Sequence, residues 1–277
     1  MNNNTGIFTG QNNLELFYRV YEPEGNITAI IIPVHGLCEH SGRYMNLVNY
    51  FVPRGYALYI PDQRGHGQSA GKRSYVERFE YYSRDLKTFV DLVRTEKPSR
   101  KIFLVGHSIG GLVAVSYALE HQSEFDGLIL SGATIRPGAS VTKTQIFLAH
   151  LLAFLAPKFG VDKIDASAIS RDKRVIEAYE NDSLVYRGKI SAKMGMELLK
   201  AMQKLRKNMA EISLPVLIMS GTMDSLSDPQ SSRDLFDGIS SEDKTLNFYE
   251  GYYHEIFNEP GREGVFVDME YWLSVHL

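Results

Sequence analysis

The residues with the clearest chemical meaning are 105–111, which read V-G-H-S-I-G-G. Ser108 stands between Gly106 and Gly110 in the spacing G-x-S-x-G, with one apolar run before it and another after it. A strand that turns sharply into a helix needs glycine on both sides of the serine, because a side chain there would collide with the neighbouring chain. The pattern predicts a serine nucleophile at the apex of such a turn, beside the free N–H groups of a helix N-terminus.

A serine nucleophile needs a base that accepts its proton and an acid that orients the base. In this architecture they follow the serine in the order Ser, Asp, His. Asp224 comes just after an apolar run over 215–220, and His254 follows a strand-like segment and a turn near the C-terminus. We predict Asp224 as the acid and His254 as the base. Asp228 is the competing acid, but it precedes Pro229 and a helical stretch, which favours a helix-capping role.

Two N–H donors are expected to bind the oxyanion of a tetrahedral intermediate. One is the backbone N–H of Ile109, directly after the nucleophile. The other is expected in the loop His35-Gly36-Leu37, which follows an apolar run that ends at Val34. We predict the backbone N–H of Leu37, because Gly36 lets the chain pass close to the nucleophile.

Strand-like and helix-like segments alternate around these residues. A loose alternation over 14–21 predicts an antiparallel strand, and helical spacing occupies 44–52, 79–95 and 112–121. Short runs that are apolar on both faces predict strands of a sheet covered on both sides, over 28–34, 57–60, 102–105, 127–130 and 216–219. The alternation indicates an α/β fold with a mostly parallel central sheet, helices on both faces and right-handed crossovers.

The alternation stops between residues 135 and 214, which read as several helices without a convincing strand. We therefore predict a core formed by 1–135 and 215–277, with a helical cap over 136–214 inserted into it. Within the cap, residues 144–156 are apolar nearly all round, yet at about 1.5 Å per residue they are too short to span a bilayer. They indicate either a packed cap helix or a mobile helix that lines an acyl tunnel and contacts a membrane or micelle surface.

The composition excludes several classes of protein. A chain of 277 residues, 44% of them hydrophobic, can bury a full core as one large domain or one domain with an insertion. The net charge of −3 gives no electrostatic reason to expect a nucleic-acid partner. The single cysteine, Cys38, excludes an intramolecular disulfide and indicates a reducing compartment. Without a signal-peptide pattern or an apolar run of about 20 residues, we expect a soluble, cytoplasmic protein. No metal or organic cofactor is implied, and the oligomeric state is left open.

Three segments read HGLCEHSGRY (35–44), DQRGHGQS (62–69) and GYYH (251–254), and through them the chain resembles the monoacylglycerol lipase family of α/β-hydrolases, which also includes lysophospholipases. Residues 35–44, HGLCEHSGRY, are similar to the family signature H-G-x-x-E-H-S-G-R-Y. Residues 62–69, DQRGHGQS, are similar to its D-x-R-G-H-G-x-S, and residues 251–254, GYYH, to its terminal G-x-x-H. The segment 171–186 also resembles the family, although Ser183 stands where proline is usual. The resemblance covers nearly the whole chain.

The resemblance implies a serine carboxylester hydrolase that releases a fatty acid and glycerol from a monoacylglycerol through an acyl-enzyme. A lysophospholipase or a carboxylesterase of broad specificity is the alternative, and a peptidase of the same fold is a more remote one. The resemblance also implies that Glu39, Arg43, His107 and Tyr179 contact the glycerol end of the substrate, directly or through water. For Glu39 and Arg43 the alternative is that they only brace the oxyanion loop.

Overall fold

The computed structural model describes residues 1–137 and 151–277. Its strands are β1 (Asn2–Gly10), β2 (Leu14–Glu22), β3 (Ala29–Val34), β4 (Tyr56–Pro61), β5 (Ile102–His107), β6 (Gly127–Ser131), β7 (Gly160–Asp162), β8 (Ile190–Ser191), β9 (Val216–Gly221) and β10 (Lys244–Tyr249). The large sheet has the order β1-β2-β4-β3-β5-β6-β9-β10. β2 pairs antiparallel with β1 and β4, whereas the pairs from β4 to β10 are parallel. The predicted α/β fold with a mostly parallel sheet is confirmed.

Helices cover both faces of this sheet. The helices are α1 (Met45–Phe51), α2 (Glu80–Glu96), α3 (Ile109–His121), α4 (Lys173–Asn181), α5 (Ala192–Asn208), α6 (Gln230–Gly238) and α7 (Arg262–Val275). Of these, α4 packs into a separate apolar cluster around Tyr179 and not onto the sheet. In β3, Ile30 and Ile32 pack into the cluster that contains α2 and α3, whereas Ile31 packs into the cluster that contains α1 and α7. Because successive side chains of a strand point to opposite faces, a strand covered on both faces is apolar throughout.

Two features of the fold differ from the sequence-based expectation. β1 was not predicted, because its polar residues show no apolar alternation; it is an edge strand whose first residues are exposed. The prediction of no strand within 136–214 is wrong, since β7 and β8 form a small antiparallel sheet. Strands of three and two residues are too short to leave a periodic pattern.

The part of the predicted cap that the structure describes packs against the core and forms hydrogen bonds to it. α5 packs into the same apolar cluster as α3, through Leu198 and Met202 among others. His40 Nε2 lies 2.8 Å from Asp182 Oδ2, and Ser191 Oγ donates to the backbone oxygen of Ser74 at 2.7 Å. The boundaries of the cap stay a prediction.

The helix predicted over 144–156 lies partly outside the described residues. Residues 151–155 are helical, and residues 144–150 are not among those described. Within 1–137 and 151–277, we find no helix that combines the length and the apolar character needed to cross a membrane.

Candidate active site

Ser108 lies at a strained turn between β5, which ends at His107, and α3, which begins at Ile109. Its backbone angles are φ 55° and ψ −123°, a region that residues other than glycine rarely occupy. A Cβ atom on Gly106 would lie 2.6 Å from Gly111 Cα, and one on Gly110 would strike the backbone of β3. The strand, the turn and the helix are therefore arranged as the G-x-S-x-G spacing predicts.

His254 and Asp224 form a buried pair at the carboxyl edge of the sheet. His254 Nδ1 lies 2.7 Å from Asp224 Oδ2. Asp224 Oδ1 accepts from the N–H groups of Leu226 and Ser227, at 2.9 and 2.8 Å, so the carboxylate is fixed on both sides. Because an ionised carboxylate only accepts, Nδ1 carries the proton and Nε2 is left with a free lone pair.

The same cavity is lined by Ser108 and His254, although the structure has no hydrogen bond between them. Such bonds are often long before a substrate binds. Asp228 is directed elsewhere: its Oδ1 accepts from Gln230 N at 2.9 Å, at the start of α6. The geometry thus brings Asp224 and His254 together and leaves Asp228 at a helix end.

The pKa of His254 is raised above its ordinary value. Burial lowers it, but the charge and hydrogen bond of Asp224, together with the charges of Glu255 and Glu39, raise it by more. A group with a raised pKa stays protonated to a higher pH, and a protonated imidazole cannot accept a proton from Ser108.

We therefore expect kcat/KM for a short, uncharged, soluble ester to rise with pH, with a midpoint above the ordinary imidazole pKa. An initial-rate series at constant ionic strength measures it. A profile that stays flat from about pH 5 to pH 8 would contradict a histidine base.

The predicted oxyanion donors lie beside the nucleophile. The N–H groups of Leu37 and Ile109 have no hydrogen-bond acceptor within the described residues, and both residues line the cavity with Ser108. A Cβ atom on Gly36 would lie 3.1 Å from Ser108 Cβ and 2.9 Å from Glu39 Oε1, so a side chain there would crowd both residues. Both N–H groups are thus available to an oxyanion, and their role stays a prediction.

Neighbouring loops hold the oxyanion loop in place. Asp62, just after β4, accepts from Ser41 N and from Gln68 N, both at 2.7 Å. His35 Nε2 accepts from Gln63 N at 2.9 Å. Burial lowers the pKa of His35 to about 4, so the ring is neutral and can accept this bond at neutral pH. The segment 62–69, similar to a family motif, therefore has a structural explanation.

Two of the residues predicted for the glycerol end, Glu39 and Tyr179, lie beside a third, Arg43. Nη2 of Arg43 donates to both carboxylate oxygens of Glu255, at 2.8 and 2.7 Å. Nε of Arg43 lies 3.5 Å from Glu39 Oε2, and its Cζ lies 4.8 Å from the centre of the Tyr179 ring. Glu39 Oε1 accepts from Gly36 N, so Glu39 does brace the oxyanion loop. Contact of these side chains with glycerol stays a prediction.

Sequence reasoning gave Glu255 no role, although this residue directly follows the predicted base. Its partner, Arg43, lies 212 positions away in the chain. Local spacing cannot reveal such a contact.

His107 is neutral, and its Nε2 has no hydrogen-bond partner within 1–137 and 151–277. Burial first, and then the charge of His254, lower the pKa of His107 to about 4 despite nearby carboxylates. Its Nδ1–H donates to the backbone oxygen of Ser131 at 3.1 Å, which leaves Nε2 as an acceptor. A neutral acceptor of this kind suits a substrate hydroxyl.

The cavity has a volume of about 360 Å³ and combines this polar end with apolar walls. The apolar lining consists of Leu37, Ile109, Ile164, Ile169, Ile190, Leu198, Met202 and Leu226. Within 1–137 and 151–277 no group of three or more His, Cys, Asp or Glu side chains is placed to hold a metal ion. The arrangement suits an ester that has one apolar chain and a small polar alcohol.

Cys38 lies next to the oxyanion loop with a φ of 68°, and its thiol is buried. Burial, with a smaller effect of the charge of Glu39, raises the pKa of Cys38 to about 12. Because the thiolate is the reactive form, this environment favours a role as a small filler over a role as a reactive thiol.

Comparison with known proteins places these observations in context. The model of the family Hydrolase_4, described as serine aminopeptidase, S33, matches residues 25–261. The chain is 33% identical to a monoacylglycerol lipase of Mycolicibacterium smegmatis, over 98% of this chain and 96% of that protein. It is 34% identical to the phospholipase YtpA of Bacillus subtilis, over 86% and 92% of the two chains. A soluble variant of the monoglyceride lipase from Saccharomyces cerevisiae, solved with a substrate analogue, superposes with a TM-score of 0.87 at 26% identity, covering 98% of this chain and 94% of that chain.

Proposed function

Since this chain belongs to the Hydrolase_4 family of α/β-hydrolases and, within it, to the monoacylglycerol lipases, we propose that it hydrolyses monoacylglycerols to a fatty acid and glycerol. It is a carboxylic ester hydrolase that acts on a lipid substrate. The observation that carries the proposal is the buried Asp224–His254 pair in one cavity with the strained Ser108, between an apolar wall and a polar end.

In the proposed reaction, Ser108 attacks the ester carbonyl while His254 Nε2 takes the hydroxyl proton. The N–H groups of Leu37 and Ile109 bind the oxyanion, and Asp224 stabilises the imidazolium. His254 then gives its proton to the departing glycerol oxygen. A water molecule that His254 activates hydrolyses the acyl-enzyme and regenerates Ser108.

The substrate end of the proposal rests on the two halves of the cavity. The apolar wall offers room for one acyl chain, and each methylene group that it buries contributes about 0.8 kcal/mol. The polar end, with Nε2 of His107 and the carboxylates of Glu39 and Glu255, suits the free hydroxyls of glycerol. A triacylglycerol would place two further apolar chains against that polar end.

A hydrolysis panel with equal acyl chains tests the function. We expect kcat/KM for a monoacylglycerol to exceed that for a triacylglycerol and for a dipeptide amide by about tenfold or more. The second candidate, a lysophospholipase, is favoured by the likeness to a phospholipase and predicts that lysophosphatidylcholine is the best substrate. Preference for the amide would instead support the peptidase that the family description names.

We also infer that residues 136–214 form a cap over the core and that its outer surface contacts lipid. Large apolar side chains are exposed there: Leu151 by 47%, Phe154 by 81%, Leu155 by 69%, Phe159 by 58% and Val161 by 43%. The next residues along the chain, Asp162 and Lys163, line the cavity, so this apolar patch adjoins it. Such a patch is poorly solvated, and transfer into a lipid interface would stabilise it.

Replacing Phe154 and Leu155 together with serine is expected to weaken binding to phosphatidylcholine vesicles by roughly ten- to a hundredfold. Full burial of each side chain contributes about 1.5–3 kcal/mol, and burial at an interface is partial. Co-sedimentation with vesicles measures the effect, and turnover of a short soluble ester should be unchanged.

The matched control replaces Val267 and Tyr271, which are exposed by 56% and 71% on α7, with serine. These substitutions should leave vesicle binding as it is. Equal binding by the Phe154 and Leu155 double variant and the wild type, both folded, would exclude this patch as the lipid contact.

A further inference from the structure

Glu255 is a buried carboxylate at the polar end of the cavity. It follows His254 directly, is 5% exposed and lines the cavity together with Ser108. Besides binding Nη2 of Arg43 through both oxygens, it accepts from Asn258 Nδ2 at 2.7 Å. These bonds hold the carboxylate rigidly beside the reacting groups.

Arg43 is bound by two carboxylates at once. Glu255 holds its Nη2, and Glu39 Oε2 lies 3.5 Å from its Nε. The side chains of these three residues are only 6 to 8% exposed. We call them the Glu–Arg–Glu cluster. With two carboxylates and one guanidinium, the cluster carries a net charge of −1 in a buried site.

One hydrogen-bond donor of the Glu–Arg–Glu cluster has no acceptor among the described residues. Nε of Arg43 is buried and has no hydrogen-bond partner among the described residues. Arg43, His107 and Asn258 line a cavity of about 10 Å³, which is room for about one water or one hydroxyl oxygen. This space admits a hydroxyl oxygen but is too small for a phosphate group, and Glu39 and Glu255 line it as well.

The other charged side chains that line the large cavity are Arg136, Asp162 and Lys163. Arg136 donates to Asp234 at 3.1 Å. No ion pair joins any of these residues to the Glu–Arg–Glu cluster in the described part of the chain. They therefore do not neutralise it directly.

We propose that Glu255 determines specificity for the alcohol part of the ester, so that esters of neutral alcohols are accepted and esters whose alcohol carries a phosphate are rejected. Glu39 and Glu255 both line the cavity, whereas the guanidinium that they share does not, so an anionic phosphate would meet carboxylates of its own charge sign, which is unfavourable. The inference rests on the proposed function, since it concerns the alcohol end of the same substrate.

Short soluble esters test this inference without a lipid interface. The probes are glycerol monobutyrate, its counterpart with a 3-phosphate, and butyrylcholine as a cationic ester. In the wild type we expect kcat/KM for the phosphate ester to lie about 100-fold below that for glycerol monobutyrate, and butyrylcholine to show no such charge penalty. Glu255→Gln keeps the size and one acceptor oxygen, and should narrow the gap between the phosphate ester and the neutral ester about tenfold.

The matched control is Glu250→Gln, which removes the same charge from an exposed position four residues before His254. It should leave the ratio of kcat/KM between the phosphate ester and the neutral ester unchanged. Thermal melting establishes that each variant is folded, and the wild-type ratio tests the inference without any substitution. Equal rates for the phosphate and neutral esters, or an unchanged ratio in folded Glu255→Gln, would overturn it. Failure of the proposed function would give a different result: kcat/KM for a long-chain monoacylglycerol would be no higher than that for a dipeptide amide. The ratio of kcat/KM between the phosphate ester and the neutral ester could still be measured on the short esters.

Discussion

Replacing Ser108 with alanine is expected to lower kcat about 10⁶-fold and to leave the fold intact. Without the hydroxyl there is no acyl-enzyme, and only the oxyanion donors and substrate binding contribute to the remaining rate. Alanine fits the turn as serine does, because both have a Cβ atom and meet the same φ of 55°. The melting temperature should therefore stay close to that of the wild type.

Labelling with a fluorophosphonate probe measures this directly. The wild type should take up one label per chain and Ser108→Ala none. Ser225 provides the matched control, because it lines the same cavity from an exposed position and Ser225→Ala should label normally. Labelling that persists in Ser108→Ala would place the nucleophile on another residue.

Replacing Asp224 with asparagine is expected to lower kcat by about 10³- to 10⁴-fold. The asparagine oxygen can still accept from the N–H groups of Leu226 and Ser227, so the loop should keep its shape. Its amide group would then face His254 Nδ1 and donate to it. That bond favours the tautomer with the proton on Nε2, which is the nitrogen that must accept the proton of Ser108.

Asp228→Asn is the matched control, because the side chain of Asp228 accepts from Gln230 N at the start of α6 and does not contact His254. We expect it to cost little activity, with steady-state kinetics on a short soluble ester as the measurement. An equal loss in both variants, or a larger one at Asp228, would overturn the assignment of Asp224 as the acid.

Most of the turn at Ser108 could be predicted because it depends on residues close to the serine in the sequence. The glycines at 106 and 110 are required by contacts with Gly111 and with β3, and the strand and helix on either side are apolar because both are buried. The predicted strands of the large sheet begin and end within two residues of those observed, since burial on both faces leaves a continuous apolar run. Burial on both faces is therefore the reason that the strands of this sheet could be predicted from the sequence.

Asp224 and His254 were predictable for a different reason. Each follows a parallel strand, and the carboxyl ends of parallel strands meet at one edge of the sheet. Chain order then assigned the two residues, and the 2.7 Å contact between Nδ1 and Oδ2 agrees with that assignment. Their roles stay predictions until the substitutions are made.

The sequence by itself thus determined the α/β core, the strained serine turn and the pair that faces it, because each depends on neighbours along the chain or on strand order. Only the tertiary structure decided that Glu255 binds Arg43, that α5 packs with α3, and that β7 pairs with β8. These contacts join segments distant in the chain, and they depend on side-chain direction and packing rather than on a repeating pattern. The charge beside the reacting ester is such a property, because Glu255 joins Glu39 at the guanidinium of Arg43 only when the chain has folded.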